Sequence, residues 1–229
     1  MNIRKVQMSE SLLLGSLLAL AGGFFDAYSF ICRGGVFANA QTGNMVLFGI
    51  NIINGEYFIA LKYLVPVFAF AIGVIATELI KAFLKPKSEK GSHVHWRQLV
   101  LIIEMLVILF VAFMPQEWNM LANILISFIC AMQVQSFRKV RGSAFATTMC
   151  TGNLRSGTEQ LFLWAASQNI KHLRNSFKYY SIIIFFILGA ALGTLCTKEL
   201  NEFAVLPSIV FLLLAIIVMF INQETESYE

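Results

Sequence analysis

Six apolar runs of 17 to 28 residues, 11–31, 57–84, 98–114, 121–137, 179–197 and 203–222, alternate with short polar or basic stretches along this 229-residue chain. A helix needs about 20 residues to cross a hydrocarbon core of about 30 Å, so each run is read as a membrane span. Lipid offers the backbone no hydrogen-bond partner, and runs of this kind are therefore expected to be helical. Composition agrees: 58% of residues are hydrophobic and 13% charged, against about 45–50% and about 25% in soluble domains. The net charge of +4 and pI near 8.9 then reflect Lys and Arg collected in loops on one side of a membrane rather than a nucleic-acid partner. Arg4 and Lys5 before Leu12, with Ala19-Leu20-Ala21 beyond, imitate a secretory signal, but the apolar run continues to Ile31 and further spans follow.

Within this pattern one tripeptide recurs. Thr42-Gly43-Asn44 and Thr151-Gly152-Asn153 lie 109 residues apart, each in a polar patch inside an apolar context. Asn39 and Gln41 accompany the first, and Thr147, Thr148 and Arg155 the second. The same offset carries Asp26 onto Gln135, so both copies hold a polar residue 16 positions before the Thr. An internal duplication is the reading. The stretches 36–53 and 144–166 that hold the tripeptides are too polar to face lipid, and a re-entrant or broken helix is expected for both.

Other features refine the spans. Asp26 is a carboxylate inside the first run, where acids face a cavity or a partner; a solute site, a structural ion pair and an interfacial position are the alternatives. Gly22-Gly23 before it serves either close helix packing or a hinge. Ala69, Gly73 and Thr77, and the pair Gly189 and Gly193, are small residues at four-residue spacing, as helix-packing faces require. Pro66 is expected to kink its helix. Glu104 either snorkels to the basic interface or faces the bundle. The four cysteines have no Cys-x-x-Cys spacing and are read as free thiols, and His93 and His95 as solvated loop residues.

Charge asymmetry weighs the topologies. If both tripeptide segments re-enter and the N-terminus is cytoplasmic, 13 Lys and Arg fall inside and three, Arg33, Lys62 and Lys198, outside. If both cross, the better orientation leaves 10 against six. Six spans are preferred, which puts three in each copy and turns the second copy upside down. The expectation is an all-α polytopic membrane protein of about six spanning helices plus two re-entrant or broken helices, built as an inverted repeat. It forms a single membrane domain, 1–229, with repeat one about 11–84 plus the helix 98–114, repeat two about 119–222, and a cytoplasmic loop 85–97.

At Gly23-Phe24-Phe25-Asp26-Ala27, Gly35-Val36-Phe37, Thr42-Gly43-Asn44 and Thr147-Thr148-Met149-Cys150-Thr151-Gly152-Asn153, the chain resembles the YoaK-like bacterial inner-membrane proteins. The likeness runs from about Ser11 to Ile221. It implies a six-span protein of the bacterial inner membrane and brings no accepted substrate or reaction. Members carry a Gln in a Gly-x-Gln-Asn-Ala-like context before the second motif, where this chain offers both Gln133 and Gln135 in Gln133-Val134-Gln135-Ser136-Phe137.

The functional expectation is a small-solute transporter or channel, with Asp26, Asn39, Gln41, Thr42, Gly43, Asn44, Gln135, Thr148, Thr151, Gly152, Asn153 and Arg155 as candidate substrate-binding residues. Asp26 is expected either to pair with Arg155 at the midplane or to take up a coupling proton. The alternatives are a membrane assembly subunit that moves nothing and, as a third class, an intramembrane enzyme. The third would need a nucleophile with its base or a metal set, and no span holds a His, a metal-ligand spacing or a Gly-x-Ser-x-Gly. No catalytic residue, metal or cofactor is expected. The partners expected are the lipid bilayer and an unidentified small polar solute, with a homodimer left open and no nucleic acid. Both termini are placed in the cytoplasm.

Overall fold

The computed structural model describes residues 11–88, 96–140, 143–144 and 150–220. The expectations for 1–10, His93, His95, Arg141, Thr147, Thr148 and the acidic tail from Glu224 fall outside these residues. Eight helices follow in order: α1 (Leu12–Cys32), α2 (Gln41–Ile53), α3 (Tyr57–Ser88), α4 (Trp96–Ala112), α5 (Asn119–Ser136), α6 (Cys150–Ser167), α7 (Ile170–Leu200) and α8 (Ser208–Phe220). Short 3₁₀ turns at Gln116–Trp118 and Asn201–Val205 precede α5 and α8, and Lys139–Val140 pairs antiparallel with Ser143–Ala144. Four stretches, Leu12–Cys32, Tyr57–Leu84, Gln116–Ser136 and Ile170–Val205, are long and apolar enough to cross a membrane. The protein is an all-α polytopic membrane protein.

The core is built from α1, α4, α5 and α8. Leu14, Leu18, Phe24, Phe25 and Tyr28 of α1 interlock with Leu101, Ile108 and Val111 of α4, Ile126 and Ile129 of α5, and Leu212 and Ala215 of α8. An apolar helix buried on nearly all sides, as α1 is, belongs in the centre of such a bundle. Against it, α3 and α7 keep most of their apolar surface exposed, with Phe68, Ile72, Ile75, Ile184, Ile187 and Leu195 turned outward.

Lipid tails are as apolar as leucine, so helices in a bilayer are held by close packing and by hydrogen bonds rather than by leaving water. Small residues supply that packing here. A Cβ on Gly189 would run into the carbonyl of Leu20, one on Gly23 into that of Phe186, and one on Gly193 would approach the Phe24 carbonyl to 2.8 Å. These pairings advance together along both chains, so α1 and α7 lie side by side in the same direction. On the other flank a Cβ on Gly73 would strike the Phe128 carbonyl and come within 2.8 Å of the Ala131 Cβ, which brings α3 onto α5 in the same way.

The first four helices and the last four thus have matching partners with the halves exchanged: α1 on α7 and α5 on α3, α1 with α8 and α5 with α4, α2 on α3 and α6 on α7. One local detail recurs as well. Thr77 Oγ1 donates to the Gly73 carbonyl at 2.8 Å, and Thr197 Oγ1 to the Gly193 carbonyl at 2.7 Å. The spacing that relates the third helices is 120 residues, 11 more than relates the tripeptides. Between α1 and α5 the direction is opposite: the Leu18 carbonyl accepts from Gln133 Nε2 at 3.0 Å, and the Arg33 carbonyl from Asn123 Nδ2 at 2.7 Å.

The structure redraws three expected elements. The tripeptides do not interrupt helices; each lies in the first turn of one, α2 or α6. At 13 residues α2 is about 20 Å long, short of the hydrocarbon core. The basic stretch Lys171–Lys178 is the opening of α7, started by the Asn169 cap whose Oδ1 accepts from Lys171 N at 3.0 Å. Around Pro66, α3 is one continuous helix over Tyr57–Ser88.

Candidate functional site

The site is assembled where the chain turns back on α1. After Cys32 the backbone passes through Gly34 and Gly35 at φ of +87° and +79°, a conformation that glycine adopts without strain. The returning segment runs beside α1 and delivers the Asn39 and Ala40 backbone N–H groups to Asp26 Oδ1, at 2.6 and 3.4 Å. Asn39 Nδ2 also donates to the Gly22 carbonyl, one turn earlier in α1, at 3.2 Å. The Asp26 carboxylate is therefore buried against the start of α2, where backbone donors and the helix dipole both favour a negative charge.

Asn44 holds the segment in place. Its Oδ1 accepts from Phe37 N at 3.0 Å, and its Nδ2 donates to the Phe37 carbonyl at 2.8 Å and to Gln41 Oε1 at 2.9 Å. The side-chain amide imitates a strand partner for the returning backbone. Gly43 leaves room for the Phe37 ring, which a Cβ would meet at 2.9 Å and which stacks on Phe30 with centroids 4.7 Å apart. Gln41 Nε2 donates to the Ala38 carbonyl at 2.8 Å and reaches Ser127 Oγ on α5 at 3.5 Å, while Thr42 is exposed.

The second motif starts α6. Asn153 is buried and bonded, whereas Thr151 and Gly152 are exposed. Cys150 is the first residue of α6 and is half-buried. The short helices themselves share no extensive contact, since α2 packs on α3 and α6 on α7. The expected Asp26–Arg155 pair is corrected: the Arg155 side chain is 78% exposed and faces Glu159 one turn along α6, at 3.9 Å. Four residues of separation on a polar helix face make Glu159 the nearer partner. Gln135, the counterpart of Asp26 in the offset, turns instead to Glu78 on α3.

Deeper in the bundle one carboxyl group is without a partner among the described residues. Glu104 of α4 is fully buried, facing the bundle rather than snorkelling, and neither carboxyl oxygen has a hydrogen-bond partner among the described residues. Cys130 of α5 is buried in the core that α1, α4, α5 and α8 share. Asn39 Oδ1 and Gln133 Oε1 are also buried and unpartnered. Every one of these unmatched atoms is an oxygen that accepts.

Arg33, read from sequence as an outside turn residue, is the largest fully buried side chain. Its Nε donates to Tyr28 Oη at 2.8 Å, its Nη2 to the Val111 carbonyl at 2.9 Å, and its Nη1 to the Met114 carbonyl at 2.9 Å and Asn119 Oδ1 at 3.2 Å. Carbonyls at the end of α4, the negative pole of that helix, take the place of a carboxylate. Tyr28 Oη passes the bond on to the Glu202 carbonyl at 2.9 Å, and Gln116 Nε2 joins Glu202 Oε1 at 2.7 Å. One end of the bundle is thereby tied across α1, α4, α5 and the turn after α7. Only the charge beside a Gly-Gly turn could have signalled this from sequence, because most of the partners are backbone atoms about 80 residues away.

No solved structure matches the chain. The UPF0700 transmembrane protein YoaK of Bacillus subtilis (strain 168) is 27% identical over 210 residues, covering 86% of this chain and 88% of that protein. The family described as "Protein of unknown function (DUF1275)" matches residues 14–219, which takes in α1, the Asp26 turn, both tripeptides and almost all of α8. With its buried acid and both short helices inside that match, the chain belongs to the DUF1275 family of transmembrane proteins.

Proposed function

We propose that the protein is a small-solute transporter or channel of the bacterial inner membrane, with its solute site at Asp26 where the start of α2 turns back on α1. The observation that carries this reading is a buried carboxylate inside a spanning helix, held by the backbone N–H groups of a non-helical segment. Irregular backbone at membrane depth is tolerated where it is covered by protein or lines a solute path, and short helices ending at a central charge are how transporters build such paths. The antiparallel course of α1 and α5, and the exchanged partners of the two halves, support an inverted repeat with six crossings and both termini in the cytoplasm. Asn39, Gln41 and Asp26 would line the site, whereas Asn44 would hold the segment that forms it. No catalytic step is proposed.

A second reading, a membrane assembly subunit, draws on α2, whose Met45, Val46, Ile50 and Ile53 are exposed on a helix too short to span. Reconstitution separates the two. Purified protein in liposomes is challenged with polyols, amino acids, amines and monocarboxylates in turn, and vesicle volume is followed by light scattering. Faster entry of at least one solute class than into empty liposomes is expected, lost in Asp26→Asn and kept in Arg155→Gln. Entry at the protein-free rate for every class, or normal entry with Asp26→Asn, would overturn the transport reading.

A further inference from the structure

Two acids are buried in the bundle, Asp26 on α1 and Glu104 on α4, and their surroundings differ. Asp26 receives two backbone N–H groups and faces the start of a helix, whereas Glu104 receives nothing and is fully buried. An ionised carboxylate without partners in a low-dielectric interior is strongly disfavoured, and two negative charges buried in one bundle repel. Such a pair divides its roles: the acid with donors keeps the charge and the acid without them keeps the proton.

We propose that Glu104 is a proton-binding site that loads one proton as the solute site at Asp26 fills and releases it as that site empties. This deepens the transport reading and rests on it. A proton taken from water protonates the Glu104 carboxylate while Asp26 remains free to meet a hydrogen-bond donor on the solute. When the solute leaves and the core opens to water, Glu104 gives the proton up. Asn39 Oδ1 and Gln133 Oε1 are unmatched acceptors buried in the same bundle, so donors, whether on water or solute, are what would complete them.

Other charges do not serve. Of the elements packed on α4, α8 carries no titratable side chain over Ser208–Phe220, and α5 offers Cys130. On α3, Glu78 and Lys81 pair with each other at 3.1 Å on the surface. Glu202, in the turn before α8, is tied to Gln116. Among the described residues no three His, Cys, Asp or Glu side chains gather as metal ligands would.

Infrared spectroscopy of the full chain in lipid bilayers tests this without knowledge of the solute. A carbonyl stretch from a buried protonated carboxyl is expected at neutral pH, shifted by deuterium exchange and lost as pH rises. Glu104→Gln should remove it and Asp26→Asn should leave it. Incorporation of isotope-labelled glutamate into the unmutated protein should move it as well, since Glu104 is the sole buried glutamate among the described residues. Absence of the band from neutral to acid pH, its survival in Glu104→Gln, or a band unchanged at every pH at which the fold persists would overturn the proposal. Failure of the flux assay alone would leave this band intact, so the two readings fail separately.

Discussion

Arg33 and Asn44 do at single positions what a sequence reads least easily: each spends its polar atoms mainly on backbone. For Arg33 the consequence is measurable. A hydrogen bond to a charged group contributes about 1.5–3 kcal/mol, and a planar guanidinium reaches several carbonyls that an ammonium cannot. Arg33→Lys should therefore lower stability by about 3 kcal/mol or more, read as a fall in unfolding temperature in lipid–detergent micelles, while Arg155→Lys leaves it unchanged. Equal stability of Arg33→Lys and the parent would remove the latch from the account. Asp26 was legible as important, because a carboxylate in an apolar run has few uses. Asn44 was legible as a motif residue, but its role was not, since its partner is the peptide of Phe37, which any residue type would supply. Glu104 left two alternatives open in sequence, and only its neighbours on α5 and α8 decide between them.

At the scale of helices, the apolar runs located six elements and missed the character of two. The span expected at 11–31 is α1 to within a residue or so, and 57–84 is contained in α3. Length and hydropathy settle such elements because lipid leaves the backbone no other choice. The tripeptide segments escaped because their starts are fixed by tertiary contacts: Gln41 opens α2 where the chain has been carried back along α1 by two glycines. The packing stripes were legible in spacing, though not which helices they join. A valine at Gly189 would drive its side chain into the Leu20 backbone, which a packed helix pair cannot yield without separating. Gly189→Val is expected to destabilise by about 1–3 kcal/mol and to reduce the folded fraction recovered from membranes. Gly152→Ala, where no atom of the described residues outside its own stretch of helix lies within 4 Å of the added carbon, is expected to do neither. Loss of equal size at both positions would mean that the α1–α7 approach is not what holds the pair.

For the whole molecule, the two halves exchange partners and start with antiparallel helices, so each half completes the packing that the other lacks. The tie through Arg33, Gln116 and Glu202 closes one end, and Arg97 Nε donating to the Ser136 carbonyl at 3.0 Å marks the other. Charge counting places the basic stretches at one end because Lys and Arg avoid translocation. It was blind to where the tripeptides lie, because their polar atoms are satisfied locally and around α1. The opposite sense of the two halves around the Asp26 site is what the proposed transporter requires. Its most direct test is labelling with a membrane-impermeant thiol reagent from each face, in a background with Cys32, Cys130, Cys150 and Cys196 replaced. Asn54→Cys, in the turn between α2 and α3, and Ser167→Cys, at the end of α6, report the corresponding turns of the two halves. Labelling of Asn54→Cys from outside and Ser167→Cys from inside is the expected result; labelling of both from the same face would contradict the inverted arrangement, and with it the shared site at Asp26.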